Sequence, residues 1–491
     1  MFNIIDKNIS TNRAFGIFLG LLSFAYIPFI FDRIYFIDDI TRSIKGYFGW
    51  IGLGRPLTEL IAIVLTINTK TLADITPLPQ LLSIAALLAA SMLLVRNISD
   101  RITLGTILIS LTAVINPLVF SNMLYRFDSL SMSLSILFPI IAWDIYLKGN
   151  RLFTFLLLVA TLSLYQPAIS IFPILIVLSF ILSKEKNRKK ITLVLHSTII
   201  TTLSCIVYYF TIIKTTMDKG EQRGDISISN GGIVHKFSEA LTNSSHVVFD
   251  SYGNLSTLCI SLLTLFFLAN VVLKVKGQVI SKDKYRYIIA TALLLTPILL
   301  IILSVGVNLI LSNSYFPPRV LFPISLIIFT LLASSYGDNK ITNTIVSVIA
   351  VILIYSSISV IYVTSSALTH QKNYDQFILN LVTENLNKMD TNKNIFIYGE
   401  TDDAVAVKIS KREFSILKHV KNNFYDMTFS QSLVNYGVAN VKFSGDARKT
   451  SLELKDLTCK NLMKTEISQP QYSIFTNEKD ILVYLGKVNC K

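Results

Sequence analysis

Apolar residues recur along this chain in eleven runs, at about Ala14–Phe31, Leu78–Val95, Ile102–Phe120, Ser129–Leu147, Leu152–Leu164, Ala168–Ser183, Ile191–Ile213, Leu255–Leu273, Tyr287–Leu311, Val320–Tyr336 and Ile341–Thr364. Most approach or exceed the ~20 residues a helix needs to cross a bilayer. The pattern predicts a polytopic α-helical membrane protein with about 11 transmembrane helices. Leu152–Leu164 is short, and Tyr165-Gln166-Pro167 breaks the chain before the next run, as a tight hairpin between two helices would. Pro56–Ile67 is apolar but falls below the ~17 residues of a span, and reads as an interfacial or re-entrant helix.

Charge orients these runs. Hydrophobic residues make up 52% of 491 positions and charged ones 15%, with a net charge of +14. That charge does not indicate nucleic acid, because the basic residues cluster between apolar runs, notably Lys184 to Lys190 and Lys274 to Arg286, as in cytoplasmic loops. With Pro56–Ile67 left out of the count, Arg96–Arg101, Lys148–Arg151 and those two segments fall on the side of the N-terminus. The N-terminus carries Lys7 and Arg13 and no small-residue cleavage site, so the first run reads as an uncleaved helix. The first loop, 32–77, and the nearly charge-balanced loop 214–254 then face outward. So does everything after Ser365.

The tail opens with Phe377, Ile378, Leu381, Val382 and Leu386 at helical spacing, then shows a strand-like Ile395–Tyr398 ending in Gly399. Tyr472–Phe475 and Ile481–Leu485 read as a hairpin around Thr476–Asp480. Residues 1–366 are therefore expected to form the transmembrane catalytic region and 367–491 a small C-terminal α/β domain. Cys205 and Cys259 lie in apolar runs as small hydrophobes. Cys459 and Cys490 can pair if the tail faces an oxidising compartment, although two cysteines in a long segment need not approach one another.

On this topology the unusual polar residues gather at outer helix ends. Asp38, Asp39, Arg42, Trp50 and Arg55 are in the first outer loop, Tyr125, Arg126 and Asp128 in the second, Tyr165 and Gln166 at the third turn, and Arg319 follows Pro317-Pro318. A carboxylate suits deprotonation of a hydroxyl nucleophile, and two side by side disfavour joint ionisation. Arginine suits a phosphate leaving group. Aromatic rings and Gln suit sugars. Together they describe glycosyl transfer from a phosphate-linked donor at a site assembled from several helix ends.

Each residue also has a plainer reading. Asp39 can cap a helix from Ile40, Arg33, Arg126 and Arg319 can be interfacial anchors, Trp50 and most tyrosines can belong to an aromatic belt, and Gln166 can satisfy a carbonyl freed by Pro167. It is their common side that favours chemistry. His235 and His246 are too few and too far apart for zinc, and no metal or cofactor motif is present; Gly231-Gly232 reads as a linker. A transporter or flippase for a lipid-linked sugar would place charges near the bilayer midplane, and here they sit at helix edges. A non-catalytic assembly protein is the third class.

Asp38-Asp39-Ile40-Thr41-Arg42 with Gly46-Tyr47-Phe48-Gly49-Trp50 and Gly54-Arg55-Pro56-Leu57, then Arg126-Phe127-Asp128-Ser129 with Met132, Leu164-Tyr165-Gln166 and Pro318-Arg319-Val320-Leu321, resembles the type II O-antigen glucosyltransferases, serotype-converting membrane enzymes. The resemblance implies a GT-C-like glycosyltransferase of the bacterial inner membrane with a periplasmic C-terminal domain. It implies glucose transfer from undecaprenyl-phosphate-glucose to an O-antigen (lipopolysaccharide) sugar, with Asp38 or Asp39 as base, inversion at the sugar carbon, and Arg319 and Arg126 on the lipid phosphate. The same fold with a different sugar is the nearest alternative.

Overall fold

The computed structural model describes residues 5–32, 34–216, 232–309, 316–337, 339–389 and 392–490. Arg33, Gly231 and the charges between 217 and 231 lie outside them.

Every expected apolar run contains helix. Among the described residues, seven helices are long and apolar enough to cross a membrane: Thr11–Phe31, Leu78–Ile98, Ser129–Leu147, Asn187–Thr216, Val234–Ile280, Arg286–Val305 and Lys340–Asn387. Two of them clearly leave an apolar face open: Leu195, Ile199, Leu203, Ile206 and Phe210 line an exposed stripe on Asn187–Thr216, and Leu294, Leu295 and Ile298 another on Arg286–Val305. Exposed apolar stripes of this extent suit lipid. Four further apolar helices, Pro56–Thr66, Arg151–Leu164, Gln166–Leu182 and Ile324–Ser335, are shorter.

The run expected as one helix over Ile102–Phe120 is broken. Leu104–Thr112 and Pro117–Met123 meet at 62°. Asn116 serves both ends of the break: its Oδ1 accepts from Leu118 N at 3.0 Å and Val119 N at 2.9 Å, while its Nδ2 donates to Thr112 O at 3.1 Å and Ala113 O at 3.2 Å. One side chain thus satisfies backbone groups that would be costly to bury unpaired. Pro117, lacking an N–H, fits the first helical position.

Two other segments extend further than the apolar pattern indicates. The expected loop 214–254 is helical over most of its described part, because the helix Gly232–Ile280 runs through it with a break at Gly253. The last apolar run does not end near Thr364. It continues as one 48-residue helix, Lys340–Asn387, about 72 Å long at 1.5 Å per residue.

That helix carries the C-terminal unit. Strands β1 (Asn394–Gly399), β2 (Lys464–Ser468), β3 (Tyr472–Thr476) and β4 (Asp480–Leu485) form one sheet in the order β1-β4-β3-β2. β1 and β4 are parallel and the other pairs antiparallel. Ile395, Ile397, Ile474, Ile481 and Val483 face Ile378, Val382 and Leu386 of the long helix and Phe429 and Leu433 of the helix Asp426–Asn435. Phe396, Phe475, Leu482 and Tyr484 face Leu454 of the helix Ala447–Cys459 on the other side. The strand alternation therefore feeds two cores. Asn477 closes the expected hairpin by accepting from Lys479 N and Asp480 N at 2.9 and 2.7 Å. β2, polar and largely exposed, gave no apolar signal.

Cys459 and Cys490 are bonded, while Cys205 and Cys259 are free. Thiol titration of the denatured, unreduced protein is expected to find two reactive cysteines; four would contradict the bridge. Cys459→Ser should cost the C-terminal unit about 4 kcal/mol, the loop-closure figure for a separation of 31 residues, seen as a lower midpoint of thermal unfolding.

Candidate functional site

The first loop begins with an eight-residue helix, Asp38–Lys45, that has both aspartates in its first turn. Carboxylates there complement the helix dipole. The N-cap position belongs to Ile37, which has no capping side chain, so Asp39 is not the cap.

The two carboxylates have different surroundings. Asp39 is fully buried. It accepts from Arg126 N at 2.9 Å, Phe36 N at 3.2 Å and Phe127 N at 3.5 Å. Burial pushes its carboxyl up to about 8, assisted by the charge of Asp128 and opposed by those N–H groups. The shift comes from burial and Asp128, and the neighbouring Asp38 is not among its causes. Asp38 is exposed. It lies close enough to Tyr47 and Tyr425 to reinforce the upward push that burial gives both phenols, with Arg42 opposing at Tyr47.

Behind Asp38 the first loop is braced. Trp50, fully buried, donates its Nε1–H to Asp128 Oδ1 at 2.6 Å, and its own N–H and that of Ile51 reach Glu59 Oε2 at 2.9 and 3.0 Å. The Arg42 guanidinium lies 3.8 Å from the Trp50 ring centroid and donates to Phe48 O. Trp50, Arg42 and Asp128 are thus spent on one another, and the ring that sequence reasoning offered as a sugar platform has no open face. Glu59 was not anticipated; a single carboxylate in an otherwise apolar short helix was the available signal.

A second group of contacts joins the other helix ends. The Arg319 guanidinium lies over the Tyr125 ring at 4.4 Å, and Tyr165 Oη donates to Arg319 O at 3.4 Å. Arg55 lies over the Tyr165 ring at 4.5 Å and donates to Gln166 Oε1 at 3.2 Å. Gln166 in turn donates to Leu53 O and to Tyr208 Oη at 3.1 and 2.9 Å, and Tyr208 donates to Gly54 O at 2.8 Å. Gly54 is required: at φ 72° a side chain is strained, and a Cβ would meet Ile213 Cδ1 at 2.7 Å. Tyr125 and Tyr165 are buried beneath the arginines, while Arg319, Arg55 and Gln166 keep partial exposure.

All eleven sequence-derived residues therefore meet at one end of the bundle, but only Asp38, Arg319, Arg55 and Gln166 present accessible polar groups. The Arg126 guanidinium faces inward, 5.1 Å from the Tyr35 ring centroid, and lines a small internal cavity with Asp32 and Gln80. Among the described residues, no three His, Cys, Asp or Glu side chains converge as metal ligands would.

The C-terminal unit sits against this end through polar contacts that the apolar pattern did not indicate. Asn422 accepts from Ile37 N at 3.0 Å and donates to Tyr35 O at 3.0 Å, and the Thr41 hydroxyl donates to Gln431 Oε1 at 2.7 Å. Residues 422–431 thus hold the lead-in to the Asp38–Lys45 helix and its first turn.

Comparison with known proteins places these contacts in a family. The family model described as glucosyl transferase GtrII matches residues 27–334, a span that contains all eleven site residues and stops before the C-terminal unit. A protein of Salmonella phage P22, described as an uncharacterised 55.3 kDa protein in the gtrB 5′ region, is 33% identical over 207 residues. That alignment takes in 41% of this chain and 42% of the phage protein, so less than half of that relative is spanned. No solved structure matches. With well over half of its length matched by the family model, the chain belongs to the GtrII glucosyl transferase family.

Proposed function

We propose that this chain is a multi-pass glucosyltransferase of the bacterial inner membrane that moves glucose from undecaprenyl-phosphate-glucose to an O-antigen sugar at the periplasmic face, and so converts serotype. The observation that carries this reading is the exposed Asp38 carboxylate near enough to Tyr125 for its charge to act on that phenol, with Arg319 over the same ring, at a bundle end lined by several helix termini. A polyprenyl donor is held in lipid and presents its phosphate at headgroup level, so its enzyme needs a base and an arginine at helix ends.

The orientation follows from charge. Arg96 and Lys148 pair with Asp144 at 3.2 and 2.6 Å, on helix ends opposite those that carry the Asp38 cluster. Basic connections of this kind belong in the cytoplasm. The N-terminus is then cytoplasmic, residues 1–366 form a GT-C-like catalytic region of up to eleven spans, and residues 367–491 form a periplasmic domain that contacts the acceptor.

In the reaction, Asp38 takes the proton of the acceptor hydroxyl as that oxygen bonds to the anomeric carbon. The anomeric carbon–oxygen bond to phosphate breaks, and its electron pair leaves with undecaprenyl phosphate. Arg319 meets the charge that develops on the phosphate, with Arg55 as the second cation in reach. Attack from the face opposite the phosphate inverts the sugar carbon. Asp39 is a positioning residue: held neutral by burial, it fixes the helix that carries Asp38 against the Arg126–Phe127 backbone.

Asp38→Asn is expected to lower glucosylation of surface polysaccharide by about 10²-fold or more, the usual weight of a general base, at normal protein levels; full modification would overturn the enzyme reading. Arg319→Lys should cost about tenfold through loss of the planar fork. Asp39 gives a pH test. Its folded carboxyl titrates above the unfolded one, so its stabilisation is complete below the ordinary Asp range near ~4 and fades as pH rises through about 8. Thermal stability of the wild type should fall as pH climbs from roughly 4 to 8, and Asp39→Asn, which mimics the neutral acid, should flatten that slope; an unchanged slope would show that Asp39 is already ionised.

A further inference from the structure

The C-terminal unit has a groove that the catalytic reading does not use. It lies beyond the carboxyl ends of β1 and β4, the two parallel strands, with a volume of about 550 Å³ and an open side to solvent. Its lining includes Tyr398, Glu400, Asp402, Lys408, Tyr484 and Lys487. The crevice outside the carboxyl ends of parallel strands is where α/β sheets bind ligands. Gly399 makes it possible here: at φ 93°, with a Cβ that would lie 2.7 Å from Leu485 O, no side chain can fill the floor.

The chemistry of the lining selects among ligands. Two carboxylates face two amines, and Glu400 is also paired with Lys421 at 2.6 Å, so the groove has little net charge to attract a phosphate or nucleotide. The half-buried ring of Tyr398, backed at 5.1 Å and 57° by the core ring of Tyr484, gives the groove one apolar wall rimmed by donors and acceptors. Apolar ring surface bordered by hydrogen-bonding groups suits a neutral polyol. Small ligands favour sites that enclose most of their surface; an open groove suits a chain passing through.

The groove also connects to the candidate centre. Glu400 on its rim bridges to Tyr425 in antiparallel fashion, and Thr401 N donates to Phe424 O at 2.8 Å. Tyr425 is the C-terminal residue whose phenol feels the Asp38 charge. One bridged residue pair separates the groove rim from the surroundings of Asp38.

We infer that this groove is a glycan subsite that holds sugar units of a polymeric acceptor neighbouring the one at Asp38. The inference rests on the proposed transfer to O-antigen, and it assigns the binding of the polymer to Tyr398, Asp402 and Lys408, outside the family-matched span.

The test measures binding, so that it stands apart from transfer. Full-length protein in nanodiscs, carrying Asp38→Asn so that the glycan is not altered, is titrated calorimetrically with delipidated O-antigen polysaccharide from the strain that carries the chain, and with its single repeat unit. The polymer should bind more tightly than the single unit. Tyr398→Ala should weaken polymer binding by about tenfold, a typical loss for an anchoring aromatic, and bring it close to that of the single unit. Asp402→Asn with Lys408→Gln changes two exposed side chains and should weaken it in the same direction without risk to folding. Polymer affinity unchanged in both variants, or equal affinity for polymer and single unit in the parent, overturns the subsite. Binding that behaves as expected in a protein whose wild type transfers no glucose would uphold the groove and remove the transferase reading.

Discussion

The arrangement of this site depends on one buried carboxylate. Asp39 is fully buried and is satisfied by backbone N–H groups from two places in the chain, Phe36 before it and Arg126 and Phe127 far beyond it. A buried polar group left without such partners costs far more than the bonds themselves contribute, so the first-loop helix and the turn after Met123 are obliged to stay together. Asp38, the preceding residue, is thereby held outward beside Tyr125, on whose ring Arg319 lies. Acid, aromatic ring and guanidinium from three separate stretches acquire fixed relative positions.

Much of this was legible in the chain. Each apolar run located a helix, the shortness of Pro56–Ile67 matches the short helix Pro56–Thr66 found there, and the polar residues singled out at helix ends lie in one connected set of contacts. What was not legible depends on burial. Asp38 and Asp39 are identical in sequence terms, and only packing distinguishes an exposed carboxylate from an enclosed one. Trp50 and Arg42 have the residue types of a sugar platform, yet they serve as a brace because Asp128 and the Phe48 carbonyl lie within reach. The break at Asn116-Pro117 was within a run whose hydrophobicity masked it, since hydropathy averages over the one side chain able to pair both broken ends.

The C-terminal unit was the least readable part, for a related reason. Its contacts with the first loop run through Asn422, Thr41 and Gln431, polar residues of ordinary type whose pairing spans nearly the whole chain. The continuous helix Lys340–Asn387 gives these contacts their geometry. Its upper part packs into the sheet through Ile378, Val382 and Leu386, and the buried Asp375 accepts from Gln371, Thr401 and Phe424 N at 2.9, 2.6 and 3.3 Å. A long strut with a satisfied polar core holds the unit in place, so the end of the bundle that carries Asp38 is covered in part by a segment that the family match does not reach.

Electron cryo-microscopy of the Asp38→Asn protein loaded with undecaprenyl-phosphate-glucose tests the central claim most directly. The account predicts the donor phosphate in contact with the Arg319 guanidinium, the lipid tail leaving the bundle sideways, and the anomeric carbon open towards residue 38 beneath Tyr425. A donor bound at the opposite end of the bundle, beside Arg96 and Lys148, or one whose glucose is walled off from residue 38, would contradict it.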